Sequence, residues 1–331
     1  MRQALVIGSG SIAKRHIRNL RELYPDAEVV CVSASGRHIV ASDVGATSAA
    51  DTIEAAVLNK PDIAVVASPA NFHLAHAETI LKASIPVLIE KPLCVEYSDL
   101  WRFPVDRMKG KVAVGYNLRF MPAAEVVKDL VDSGSLGRIS TVFCEVGQYL
   151  PDWRPDADYR KGVSAQKKLG GGALLELSHE LDYLNWIFGS FSEVSAVMGS
   201  SGLLDIDVED TVDAMLTGQG GTIFHLHLDF LQRCASRSFK AVGENGTLTW
   251  NLLSNEVTFH KSGATMEVLL SDSGYDRNEM YVEQLRAFVA YAEGGSEFSS
   301  TLESSIEVMR LVDAIRLSDQ QRAWVKCEAI K

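Results

Sequence analysis

The first third of the chain sets short, unbroken apolar runs between helical patterns, and this constrains the fold more than any other feature. ALVIG, EVVCVS, DIAVVAS, PVLIE and KVAVGYN read as strands, with GATSA as a further short one. Ser11 to Tyr24, Asp51 to Leu58 and Phe72 to Ala83 carry helical periodicity. A strand that faces water on one side alternates apolar and polar residues; these runs do not alternate. They therefore predict strands buried on both faces, as in a parallel sheet covered by helices above and below. In that doubly wound arrangement ligands lie at the carboxyl ends of the strands.

The first strand runs into GSGSIAKRH, where Gly8 and Gly10 precede a helix and Ala13 stands at the third small-residue position. Gly8 permits a sharp turn, Gly10 lets the backbone approach a pyrophosphate, and Ala13 lets the helix pack closely on the strand. The N–H groups around Ser11 and Ile12, at the positive end of the helix, suit phosphate oxygens. The alternative is a tight structural corner; the strand-turn-helix context favours a dinucleotide, and hence a Rossmann domain. NAD sites usually carry an acid at the end of the second strand. Here the segment is CVSASGRH, without an acid from Val29 to Ser42. Ser33, Ser35 and Arg37 can instead donate to a 2′-phosphate, which favours NADP over NAD, unless Arg37 is simply a solvated loop residue.

After Pro122 the rhythm changes. A helix over Ala123–Ser133 leads into the strand RISTVFCEVGQYL, a polar loop, and a helix from about Gly172 to Phe188. From Glu193 to about Leu270 the chain reads as antiparallel strands, with turns at Gln219-Gly220-Gly221 and Glu244-Asn245-Gly246. Helices over Asn278–Glu293 and Thr301–Leu317 follow. The expected organisation is an α/β chain with two domains. A Rossmann domain, residues 1–120, precedes an α+β domain, residues 121–331, built on a largely antiparallel sheet.

At 331 residues the chain has the length for two such cores. A net charge of −11 argues against nucleic acid as a partner. No apolar run approaches the ~20 residues needed to span a bilayer, and the N-terminus does not read as a signal peptide. The five cysteines are scattered, without a CxxC pair, so neither disulfides nor zinc is expected and a reducing cytoplasm is the natural compartment.

Two strand ends carry chemistry. VASPANFHLAHA places Ser68, Pro69, Asn71 and His73 at one, and IPVLIEKPLCV places Lys91 between Glu90 and Pro92 at another. With GxGxxA before them, and with GYNLRFMP and GGGALLELSHELDYLNWIFG after, these segments resemble the glucose–fructose oxidoreductase / inositol dehydrogenase (Gfo/Idh/MocA) family over essentially the whole chain. EKP in this position is highly specific, whereas the glycine motif alone is not.

The resemblance implies an NAD(P)-dependent enzyme that moves hydride between nicotinamide and a carbinol or carbonyl carbon of a sugar, sugar acid or sugar nucleotide. The alternatives are a cyclitol (inositol-type) dehydrogenase and a non-catalytic NADP-binding sensor on the same fold. It implies Lys91 and His179 as the catalytic pair. The cofactor would meet Gly8, Gly10, Ser11, Ile12, Ser33, Ser35, Arg37, Ser68, Pro69, Asn71, His73, Glu90 and Lys91. The family often has an aspartate four residues before the histidine, where this chain has Leu175. Glu176 and Asp182, three residues either side of His179, would share its helix face; Glu176 is placed in the catalytic set, and which of the two acids partners the histidine is left open. Asn117 and Arg119 after the last sheet strand, with Tyr159, Arg160 and Asp182, form the expected substrate set. Tyr159 and Arg160 belong to a polar loop, PDWRPDADYRKGVSAQKK, that suits an anionic sugar, although a merely solvated loop reads almost as well. ExxH and the pair His225/His227 could ligate metal, but no metal is expected, because no second ligand pair accompanies them. Family relatives assemble through the antiparallel sheet, which implies a homodimer or homotetramer.

Overall fold

A computed structural model describes residues 1–108, 110–295 and 297–327, without the side chains of 106 and 107. The chain forms two compact units: Met1–Phe120 with Arg277–Ile306, and Met121–Asp276 with the chain from Glu307 onward.

In the first unit, β1 (Gln3–Ile7), β2 (Glu28–Val32), β3 (Ser48–Ala50), β4 (Ile63–Val66), β5 (Val87–Ile89) and β6 (Val112–Val114) form a parallel sheet. Its order is β3-β2-β1-β4-β5-β6. The order reverses between β1 and β4, the switch point where a doubly wound sheet opens a ligand crevice. Apart from β3 the strands are almost wholly buried, as unbroken Val/Ile runs require. On one face Ala4, Val6, Val29 and Cys31 pack with Ala13, Ile17 and Leu20 of the helix Ser11–Leu23.

Leu285, Phe288 and Val289 of the helix Glu279–Ala292 join this same core, together with Phe298. The sequence pattern alone places the whole stretch after residue 120 in the second domain. The chain instead returns over Arg277–Ile306, because the apolar face of that helix completes the cover of the parallel sheet.

In the second unit, among the described residues, β7 (Ile139–Gly147), β8 (Phe191–Gly199), β9 (Thr211–Gly218), β10 (Ile223–Asp229), β11 (Ser236–Gly243), β12 (Gly246–Asn251), β13 (Glu256–Lys261), β14 (Met266–Ser271) and β15 (Val325–Lys326) form one sheet. Its order is β14-β13-β12-β11-β7-β10-β9-β8-β15. All neighbours are antiparallel except β7 and β10. Both turns expected at Gln219–Gly221 and Glu244–Gly246 close hairpins. Alternation gives the sheet two unlike faces. Val142, Cys144, Phe224, Leu226, Leu216 and Phe239 are buried on one. Phe143, His225 and Met215 stand side by side on the other, where Phe143 and Met215 stay 40% and 39% exposed. Lys240 lies over the Phe143 ring on that outer face, and His225 stacks on it.

The helix expected from Gly172 to Phe188 is broken into Ala173–Glu176 and His179–Phe188, with Leu177 and Ser178 between them. Both intervening residues are buried. No helix among the described residues is long and apolar enough to cross a membrane.

Candidate active site

In the first unit the residues singled out in the sequence gather at the carboxyl ends of β1, β2, β4, β5 and β6. Gly8 has φ +123°, and a Cβ there would stand 2.4 Å from the Ala67 carbonyl oxygen, so the turn after β1 tolerates only glycine. Gly10 caps the helix Ser11–Leu23 without a side-chain bond, and a Cβ there would meet nothing. No acid lies in the first helical turn. The turn thus presents backbone N–H groups beside open space, which fits a pyrophosphate.

At the end of β2, Ser33 and Ser35 are linked side chain to side chain, and Arg37 donates from Nε to the Ser35 hydroxyl at 3.1 Å. Ser33 is buried, whereas Ser35 and Arg37 are exposed. The three residues form one polar arc with its charged end in solvent.

At the end of β4, Pro69 is half-buried and Asn71 exposed. His73 was expected at the cofactor, but it is buried, with one ring nitrogen 2.8 Å from the Pro92 carbonyl and the other 2.8 Å from the Ser68 carbonyl. Burial holds its pKa below the usual histidine value despite the two carbonyls. Its work is to clamp the β4 and β5 loops together. The Ser68 hydroxyl in turn meets Nδ1 of His76, whose ring stacks on Phe72.

Glu90 also departs from expectation. Its carboxylate points inward, with Oε1 2.6 Å from Nε2 of His16 on the helix that follows the glycine turn. His16 is wholly buried and Glu90 nearly so. His16 was not singled out in the sequence; its position on the buried face of the helix was the available signal. Lys91, the next residue, is half-buried.

Arg119 was expected to meet substrate, yet it is buried and donates to the Ser299 carbonyl and the Ser304 hydroxyl. Asn117 is buried as well, and its Nδ2 has no hydrogen-bond partner among the described residues. The Arg119 side chain is taken up by the returning segment, whose place in this unit the sequence did not announce.

In the second unit, Gly171 and Gly172 pack where Cβ atoms would strike the Val163 carbonyl and the Glu209 carboxylate, each at 2.3 Å. Glu209 accepts from the Leu174 N–H, so it occupies the helix N-terminus that the glycines open, and burial raises its pKa. His179 begins the helix His179–Phe188 and Asp182 lies three residues on in the same helix, wholly buried. Glu176 is half-buried and precedes the break. The shared helix face expected for Glu176, His179 and Asp182 therefore holds only for the last two. Glu180, between them, is buried against Arg237 in a bidentate pair at 2.7 and 3.0 Å.

Arg160 was expected to reach substrate; its guanidinium instead grips Asp158 at 2.8 and 3.0 Å and reaches Asp205. The Tyr159 hydroxyl accepts from the Asp205 N–H. Tyr159 also lines a cavity of about 310 Å³ with Trp153, Arg154, Lys161 and Ser164.

His227 lies on the outer sheet face between Asp213 at 2.7 Å and Asp229 at 2.9 Å. These two carboxylates, Asp229 foremost, raise its pKa to about 9. The raised value means that the folded state holds the imidazolium more firmly than the unfolded chain does. This stabilisation is complete below the unfolded value near 6.5 and is lost as pH rises through about 9. Thermal melts from pH 6 to 10 should show that decline in the wild type, and His227→Gln should flatten it; an unchanged slope in the variant would exclude His227 as its source.

Comparison with known proteins bears on the family and the fold. Residues 2–106 match the family model described as the oxidoreductase family NAD-binding Rossmann fold, and residues 125–249 match the GFO/IDH/MocA C-terminal domain. The 1,5-anhydro-D-fructose reductase of Ensifer adhaerens is 26% identical over 91% of each chain. Inositol 2-dehydrogenase 3 of Saccharopolyspora erythraea is 31% identical over 55% of this chain, which spans about half (52%) of that enzyme's length. A levoglucosan dehydrogenase solved with NADH and L-sorbose superposes with a TM-score of 0.86 over 99% of both chains, at 21% identity. With both family models matched, in order and over most of its length, the chain belongs to the Gfo/Idh/MocA family of NAD-binding oxidoreductases.

Proposed function

We propose that this chain is an NADP-preferring dehydrogenase or reductase that acts on a carbinol or carbonyl carbon of a sugar, sugar acid or sugar nucleotide. The observation that carries the reading is the placement of Lys91. It follows β5, the second strand beyond the switch point, in the same sheet whose β1 end carries the open glycine turn. The residues fit the cofactor: backbone N–H groups from Gly10 to Ile12 would hold the pyrophosphate, and Ser33, Ser35 and Arg37 a 2′-phosphate. When bound, NADP supplies the hydride acceptor at C4 of its nicotinamide.

The protein's part is proton transfer and charge. His179 takes the hydroxyl proton in oxidation and returns it in reduction, as an imidazole near neutrality can. Lys91, in the first unit, supplies positive charge to a reacting oxygen. Asp182 supports the histidine better than Glu176 does, because an unbroken helix joins it to His179. A cyclitol is the second substrate reading, favoured by the similarity to an inositol 2-dehydrogenase. A nicotinamide-absorbance screen against sugars, sugar acids, sugar nucleotides and inositols separates the two.

Three outcomes are expected. His179→Asn should lose roughly 10²–10⁴-fold in turnover, the usual contribution of a positioned acid or base, and Lys91→Ala at least as much, with cofactor affinity retained. Near-normal turnover in both variants would end the reading. Arg37→Ala should weaken NADPH binding by ~1–3 kcal/mol, the cost of a lost bond to a charged group, and leave NADH binding unchanged. Equal losses in fluorescence titration would remove the 2′-phosphate assignment. Finally, the outer sheet face with Phe143, Val197 and Met215 suits a second copy of the chain. Light scattering should report a dimer or tetramer, and a monomer at micromolar concentration would count against that use of the face.

A further inference from the structure

The buried His16–Glu90 pair lies within the first unit, one residue from Lys91, and nothing in hydride transfer itself requires it. In chain order Lys91 stands between two neighbours that are each held by a buried histidine. Glu90 is held through its carboxylate by His16, and Pro92 through its carbonyl by His73. The second carboxylate oxygen of Glu90 accepts the Lys91 N–H at 3.3 Å. Gly115, at the exit of β6, packs so closely that a Cβ there would lie 3.2 Å from the Glu90 Cα and its carboxylate. The edge of Tyr281 faces the His16 ring at 6.2 Å between centroids, and the Arg15 guanidinium lies 4.5 Å over the Tyr281 ring. His16 itself belongs to the helix whose N-terminus is the open glycine turn.

A buried ionisable pair seldom stabilises a fold more than apolar residues of similar size would, whereas removing one partner leaves the other stranded. This pair bridges the turn that suits a pyrophosphate and the peptide that carries the lysine. Resting on the reading of Lys91 given above, we propose that His16 and Glu90 are positioning residues, which couple occupation of the glycine turn to the placement of the Lys91 ammonium group. A shift of the helix N-terminus onto phosphate moves His16, His16 moves the Glu90 carboxylate, and Glu90 sets the peptide that presents Lys91. Neither residue touches substrate in this role.

The test reads Lys91 directly and needs no substrate. Its amine is methylated with formaldehyde and cyanoborohydride, with and without saturating NADPH, and followed on its peptide by mass spectrometry, with exposed Lys82 as internal reference. NADPH fluorescence confirms saturation and melting curves confirm the fold. In the wild type NADPH should change the Lys91 rate relative to Lys82 by about fivefold or more, the lower end of ordinary coupling between sites. His16→Ala should abolish that response while NADPH still binds. Glu90→Leu should do the same, and the double variant should add nothing, as expected of two residues acting through one contact. His16→Gln, whose amide nitrogen reaches the position of Nε2, should restore the response. A wild-type response in His16→Ala, or equal loss in His16→Ala and His16→Gln, would overturn the coupling and leave the assignment of Lys91 standing. No response in the wild type would instead remove Lys91 from the cofactor site, and this inference with it.

Discussion

Both faces of the parallel sheet in the first unit must be dry, and that single demand organises much of what surrounds it. The strands β1, β2, β4 and β5 have too few polar positions to face water on either side. The helix Ser11–Leu23 covers only part of one face; Leu285, Phe288 and Phe298 fill the remainder from almost three hundred residues away in sequence. Burying each such side chain is worth roughly 1.5–3 kcal/mol. The return of the chain is therefore a requirement of the core. It also closes over the end of β6, where it engages Arg119.

Polar groups inside both units are used to fix loops. His73 lies between the Ser68 and Pro92 carbonyls at the β4 and β5 ends and donates to one of them, Arg119 anchors the returning segment, and Glu180 with Arg237 joins a helix of the second unit to β11. A buried polar side chain costs stability unless its bonds are made, so each of these contacts is specific in geometry. Elsewhere in the first unit a Cβ at Gly10 would meet nothing, Ser35 and Arg37 are exposed, and Lys91 is half-buried.

Much of this was legible in the sequence, because it depends on neighbours along the chain. Continuous apolar runs specify a parallel sheet, alternation in FHLHLDF specifies a half-covered one, and a strand leading into GxGxxA specifies the turn. The same local logic located the hairpin turns and the lysine at the end of β5. What only the tertiary structure decided involves partners distant in sequence. Glu90 turned inward because His16 lay across from it, Arg119 because Ser299 and Ser304 returned to meet it, and Arg160 because Asp158 and Asp205 offered carboxylates. The helix bearing His179 broke at Leu177 and Ser178, where both residues are buried and no periodicity warned of it. Periodicity records which side of an element is apolar. The partner that satisfies a buried charge is set by packing between elements, which residue spacing along the chain does not encode.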